Sequence, residues 1–326
     1  MNESCFNERL NSASSIVLSL WFSLSGLAAV VGNAAVLWLF YKNDSLRTIS
    51  NRFLASLCVA DFLVGLVIDR PVWIAIRFFT QPERTHILKQ VINLLWIHST
   101  AATVFNLCCV SVDRFIAIRF PLRYQDIITK PRCYSVIIMV WLISLLLPFS
   151  RILVDNRTNI EKLWFSLTFI VFVLPLTVVT LCYFWIFKAA KKQSRRTRRE
   201  SHQSFNENNT PQSYKAIKTI GLVLIVYIVS WMPSLVVSVV DYVTASDKCV
   251  DHRLAYVVWP WIEAIAFTSS AINPWIYCFR NGEFRDTLCL NCHWCSCLYS
   301  RDPVDFGLEL NTNNISSAGV HAFQAL

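Results

Sequence analysis

The chain alternates long apolar runs with short polar connections. There are seven runs: roughly Ile16 to Tyr41, Phe53 to Ile76, Leu88 to Ile118, Tyr134 to Leu153, Leu163 to Phe187, Ile217 to Val243 and Leu254 to Phe279. About 20 helical residues cross the roughly 30 Å of bilayer hydrocarbon, so each run is long enough to span it. Polar groups deep inside the runs include Asn33, Asp61, Glu263, Ser269, Ser270 and Asn273. An ionisable group at that depth costs about 3 kcal/mol or more unless it has a partner or a task. Prolines interrupt the later runs at Pro175, Pro233 and Pro274, where each removes a backbone bond and kinks the helix. The pattern predicts an all-α membrane protein with a seven-helix transmembrane bundle over 16–280. Before it lies an extracellular segment, 1–15. After it come a short amphipathic juxtamembrane helix with a Cys-rich segment, 281–298, and a cytosolic tail, 299–326.

Composition agrees with the pattern: 55% hydrophobic and 16% charged residues with only 7 Gly are too apolar for an ordinary soluble domain. The net charge of +9 is not a nucleic-acid footprint, because Lys and Arg concentrate on alternate connections, 19 on one side against 9 on the other. By the positive-inside rule the N-terminus lies outside and the C-terminus in the cytosol, as in a multi-pass plasma-membrane protein. Residues 1–15 show no signal-peptide pattern. The sequons at Asn2 and Asn156 fall outside in this topology and are expected glycosylation sites. The tail cysteines Cys289, Cys292, Cys295 and Cys297, with His293, have metal-like spacing. Directly after a juxtamembrane helix, palmitoylation is the simpler reading.

One stretch stands out chemically. Asp113-Arg114 sets a charge pair against the third run, either as a stop-transfer anchor or as a functional element. Trp96 lies eighteen residues earlier, five full turns, so Trp96, Thr100 and Thr103 share a stripe with Arg114. No nucleophile–base pair or intramembrane metal cluster has usable spacing, so an enzyme is not expected. A seven-helix transporter would carry an internal repeat, and none is visible.

Seven features occur in order: Gly32-Asn33, Leu57 to Asp61, Asp113-Arg114-Phe115, Trp141, Pro175 with Tyr183, Trp231-Met232-Pro233, and Asn273-Pro274-Trp275-Ile276-Tyr277. Together they resemble the rhodopsin-like (class A) G-protein-coupled receptors from residue 16 to about 290. The run Asp113 to Tyr124 is most similar to the amine, adenosine and melanocortin groups. The resemblance implies that Arg114 engages a heterotrimeric G protein when the sixth span swings outward, while Tyr183 and Tyr277 hold the open state. It implies a sodium site of Asp61, Thr103, Ser269 and Asn273, with sodium as an allosteric modulator and no other cofactor. Trp231, above the Pro233 kink, would couple ligand to helix motion. Arrestin and receptor kinases are the further partners implied, alongside the lipid bilayer and an extracellular ligand; nucleic acid is not.

Departures from the family pattern shape the remaining expectations. Lys89 occupies the position of the family's outer disulfide cysteine and 150–162 contain no Cys, which leaves Cys5 and Cys249 as an outward pair in an oxidising compartment. Acidic residues are absent from Asn208 through Val240, so Arg114 has only Asp113 and Asp126 to hold it, and ligand-independent signalling is expected. Trp96 stands where amine receptors carry a carboxylate, Phe267 where visual pigments carry a lysine, and Ser238 where adenosine receptors carry an amide. Asp69, Arg70, Trp96, Asp241, Trp259 and Glu263 line the expected ligand cleft. Glu263 either receives a cationic ligand between the faces of Trp96 and Trp259, or pairs with Arg70 to tie two helices together. A small ligand is the first reading, and a peptide the alternative.

Overall fold

The computed structural model describes residues 10–66, 85–151, 157–200, 212–244 and 247–280. They are almost entirely helical: α1 (Ser12–Lys42), α2 (Ile49–Leu63), α3 (Thr85–Arg119), α4 (Tyr124–Ile127), α5 (Lys130–Leu146), α6 (Arg157–Thr168), α7 (Leu174–Glu200), α8 (Gln212–Thr244), α9 (Lys248–Arg253) and α10 (Trp259–Arg280). No strand occurs among the described residues. π-helical turns join α6 to α7 at Phe169–Val173 and α9 to α10 at Leu254–Val258. The chain divides into two units, 1–287 and 288–326, and the second lies outside the described residues together with the expected juxtamembrane helix.

Helix starts follow local chemistry. Asn11 caps α1 by accepting from the Ser14 amide at 2.7 Å, Thr48 caps α2 through the Asn51 amide, and Asp247 accepts from the amides of Cys249 and Val250 at the start of α9. Each satisfies donors that the first helical turn leaves unpaired.

The helices close into a bundle in which α1 packs on α2 and α10, α10 on α8, α8 on α7, and α3 runs between α2, α5 and α7. Polarity is inverted relative to a water-soluble core. Asn33, Asp61, Ser111 and Ser144 are 0% exposed, while Leu24, Val229 and Phe184 stand 68%, 62% and 58% exposed on the outside. This is the distribution that hydrocarbon solvent selects, since polar groups must find partners inside. Six of the described helices are long and apolar enough to cross a membrane. The run Trp259–Arg280 is not among them, because Glu263, Ser269, Ser270 and Asn273 interrupt its apolar sequence.

Two close approaches fix α1. A Cβ on Gly32 would meet the Pro274 ring at 3.0 Å, and one on Gly65 would meet the Gly26 carbonyl oxygen at 2.8 Å and the Ala29 Cβ at 2.9 Å. Small residues at such crossings let helix backbones approach. Pro274 has no N–H, so the Ser270 carbonyl loses its helical donor. The Asn33 amide supplies the missing bond, donating to that carbonyl at 3.1 Å and to the Ala29 carbonyl at 2.8 Å.

Candidate functional site

At the Arg114 end of the bundle, Asp113 is only 2% exposed and is occupied. It accepts hydrogen bonds from the Ser50 hydroxyl and, at 2.7 Å, from the Tyr124 hydroxyl. Burial and the adjoining Asp113 carboxylate push the Tyr124 phenol above its ordinary pKa. The expectation that Asp113 restrains Arg114 is therefore corrected: its two oxygens face α2 and α4. Asp126 does not take its place, and among the described residues no hydrogen bond or ion pair engages Arg114. Tyr183 bonds Ser111 at 3.1 Å and packs with Val179 and Ile186 against Cys108, Phe115 and Ile118 of α3. Tyr277 lies on α10, with its side chain outside the described residues.

Midway along the bundle, Asp61 gathers three donors. Thr103 and Ser270 bond Oδ1 at 3.2 and 2.8 Å, and the Asn273 amide bonds Oδ2 at 2.7 Å. The expected set named Ser269, but that hydroxyl donates to the Ala266 carbonyl at 2.7 Å instead. One residue along a helix turns the side chain by about 100°, which brings Ser270 rather than Ser269 onto the carboxylate. Nearby, Trp141 of α5 donates to Ser56 of α2 at 3.0 Å.

Toward the Trp96 end, aromatic pairs form two layers. Trp96 of α3 meets Trp259 of α10 edge to face at 6.2 Å. Two turns deeper on α10, Phe267 meets Trp231 of α8 edge to face at 6.5 Å, and Trp231 also contacts Phe172 at 5.4 Å. Such T-shaped pairs are favoured by the ring quadrupoles. A small apolar crevice opens beside Trp231 between the α6–α7 run and α8, lined by Phe172, Leu176, Tyr227 and Met232 among others. Pro233 follows two residues after Trp231, inside α8.

Glu263 sits on α10 one turn below Trp259 and one turn above Phe267, the spacing that puts all three on one face. Among the described residues nothing forms a hydrogen bond or ion pair with it. Arg70, the partner in the alternative reading of Glu263, lies outside the described residues. Asp241 is partly buried and has a contact of its own. Among the described residues, four further hydroxyls that the sequence did not mark as site groups are buried without a hydrogen-bond partner: Ser15, Thr100, Tyr227 and Ser234. Thr100 carried a signal, lying one turn from Trp96; nothing in the sequence separates Tyr227 or Ser234 from ordinary core residues.

Several expected site residues fall outside the described residues: Asn2, Cys5, Asp69, Arg70, Asn156, Cys289, Cys292, Cys295 and Cys297. Cys249 is disulfide-bonded, with its partner also outside them. Among the described residues, no group of three or more His, Cys, Asp or Glu is placed to hold a metal ion.

Comparison with known proteins places this geometry in context. The family model described as 7 transmembrane receptor (rhodopsin family) matches residues 32–277. The histamine H2 receptor of Cavia porcellus is 27% identical, over 92% of this chain and 86% of that receptor. The human adenosine receptor A2a is 25% identical, over 84% of this chain and 71% of that receptor. The human histamine H2 receptor is 26% identical, over 84% and 79%. A matched span running from the Gly32-Asn33 pair to Tyr277 takes in the Asp61 cluster, Arg114 and both tryptophan layers, and with it the chain belongs to the rhodopsin family of seven-transmembrane receptors.

Proposed function

We propose that this receptor takes a small extracellular cation into the bundle at Glu263 and passes the signal to a heterotrimeric G protein through Arg114. The observation that carries this reading is the Glu263 carboxyl, partly buried one turn from Trp259 and one turn from Phe267 on α10, with no hydrogen bond or ion pair among the described residues. An uncompensated carboxylate in a low-dielectric interior is costly, and an incoming ammonium repays that cost while the tryptophan faces add cation–π attraction. The position used by amine receptors for their carboxylate holds Trp96, so the counter-ion has moved from α3 to α10. Of the two kinds of relative, the histamine receptors are named for a ligand that carries a cation, and Glu263 favours that kind.

Ligand binding next to Trp231 biases α8 about its Pro233 kink, and a bundle with two arrangements responds by shifting population toward the one that binds better. At the other end no hydrogen bond or ion pair engages Arg114 among the described residues, which supports appreciable signalling without ligand, with Tyr183 and Tyr277 holding the open arrangement. Asp61, Thr103 and Ser270 supply three converging oxygens, and the Asn273 amide orients the carboxylate, a set that fits a sodium ion. Sodium, when bound, supplies a positive charge against a buried carboxylate. The N-terminus faces outward and the tail inward, with Asn2 and Asn156 as glycan sites, Cys5 as the partner of Cys249, and Cys289, Cys292, Cys295 and Cys297 as palmitoylation sites. Arrestin and receptor kinases would act on the same inner face.

The test is Glu263→Gln in cells expressing the full receptor, challenged with a panel of amines under G-protein readout. Loss of one ammonium–carboxylate contact predicts at least about a tenfold fall in potency. Unchanged potency for every active amine would rule Glu263 out as the counter-ion.

A further inference from the structure

Tyr183 does not stand free at the inner end of the bundle. Its hydroxyl lies 3.1 Å from that of Ser111, across the packing of α7 on α3. Ser111 is 0% exposed and Tyr183 9%, so neither group has bulk water as an alternative partner. The Ser111 hydroxyl donates to the Leu107 carbonyl at 2.8 Å, one turn back on its own helix. The bond between the two side chains therefore runs from the Tyr183 O–H to the Ser111 Oγ, and it commits the single proton that a phenol can donate.

The surrounding packing fixes where that bond forms. Val179, Tyr183 and Ile186 follow at spacings of four and three on one face of α7, and Cys108, Phe115 and Ile118 pack against them from α3. Cys108, Ser111, Phe115 and Ile118 are themselves three, four and three residues apart, so Ser111 supplies the hydroxyl of an otherwise apolar stripe. The Cys108 thiol adds a weak bond to the Pro175 carbonyl of α7 at 3.7 Å. Arg114 comes three residues after Ser111, about 4.5 Å further along α3 toward its inner end. With Tyr183 docked on Ser111, no hydrogen bond or ion pair engages Arg114 among the described residues.

We infer that Ser111 is a positioning residue that latches Tyr183 in the closed arrangement, so that the tyrosine must leave Ser111 before it can hold the open one at Arg114. This rests on the roles of Tyr183 and Arg114 proposed above and names what competes for the tyrosine. The bond is neutral, and neutral hydrogen bonds are weaker than charge-assisted ones. Since 208–240 carry no acidic residue to hold Arg114, the closed arrangement depends on this weaker restraint, which a modest bias from the ligand end can overcome. Opening does not leave the phenol stranded, because a guanidinium donates to the same oxygen that Ser111 releases. The balance between the two arrangements is then set by the difference between two partners of one hydroxyl, and removing one partner shifts the population toward the other.

The experiment measures ligand-free guanine-nucleotide exchange on a panel of purified heterotrimers, per folded full-length receptor in lipid nanodiscs. It compares wild type with Ser111→Ala, Tyr183→Phe and the double variant. Ser111→Ala removes only the closed partner, and exchange is expected to rise about fivefold or more. Ser111→Cys, close in size and a weaker acceptor, is expected to give a smaller rise and tests the same bond in a side chain that keeps the packing. Tyr183→Phe removes the group that both partners bind, and exchange is expected to fall below wild type. In the double variant the alanine is expected to add nothing, leaving exchange at the Tyr183→Phe level, because Ser111 acts through the tyrosine hydroxyl. A serine that only supports packing would lower the melting temperature when replaced without raising exchange. Unchanged or reduced exchange in both Ser111 variants, or a rise that persists in the double variant, overturns the inference. If Tyr183→Phe lowers exchange while neither Ser111 variant raises it, only the latch fails; if Tyr183→Phe leaves exchange at or above wild type, the proposed role of Tyr183 fails and the latch with it.

Discussion

At the scale of single residues, what matters is which buried polar atoms are satisfied and which are not. Asn33 answers a vacancy that Pro274 creates, and Asp61 takes three donors on its two oxygens. Tyr227 shows the opposite case: it is 3% exposed, and its hydroxyl is buried with no partner. Removing a hydroxyl that bonds nothing relieves a desolvation cost without losing a contact. Tyr227→Phe is therefore expected to stabilise the ligand-free receptor by about 1 kcal/mol or more, seen as a higher unfolding temperature in nanodiscs. A clear fall in that temperature would mean the hydroxyl has a partner after all. Much of this scale was legible in the sequence as residue type and depth, but not as pairing. Asp61 was marked as needing partners, yet the choice between Ser269 and Ser270 turned on a single step of helix rotation. Asp113 lay beside Arg114 in sequence and turned instead to Ser50, more than sixty positions earlier, because only the packing of α2 against α3 brings that hydroxyl near.

At the scale of elements, the apolar runs gave the helices and the prolines marked where they bend, while the two π-helical turns left no signal that composition or period reveals. The turn at Phe169–Val173 precedes Pro175, and the one at Leu254–Val258 precedes the Trp259–Glu263–Phe267 stripe and helps set its rotation. Helix ends also moved relative to the apolar runs: α1 begins at Ser12 behind its Asn11 cap, and α3 begins at Thr85. Close helix crossings are the elements' most sensitive joints. A methyl on Gly65 would stand 2.8 Å from a backbone oxygen of α1, and backbone cannot rotate away as a flexible side chain can. Gly65→Ala is expected to cost about 1–3 kcal/mol by forcing α2 off α1, with reduced surface expression and an earlier melt. Wild-type expression and melting for that variant would show that the crossing has slack.

At the scale of the whole molecule, hydropathy and loop charge were enough to read a seven-helix membrane bundle, and seven ordered motifs were enough to point to its family. The ligand was not legible, because the aromatic groups beside Glu263 come from different helices, as where Trp96 of α3 meets Trp259 of α10, and meet only when the bundle closes. The proposed function joins Glu263 at the Trp96 end to an Arg114 that, among the described residues, no hydrogen bond or ion pair engages at the other. Its central claim is that this bundle activates a heterotrimeric G protein through Arg114, and that it does so measurably before any ligand arrives. The direct measurement is ligand-free guanine-nucleotide exchange on a panel of purified heterotrimers by the full-length receptor in nanodiscs, beside its Arg114→Ala variant and empty nanodiscs. The account predicts exchange above the empty-nanodisc rate for at least one heterotrimer, lost in Arg114→Ala; exchange equal to that of empty nanodiscs for every heterotrimer, or undiminished in the variant, would contradict it.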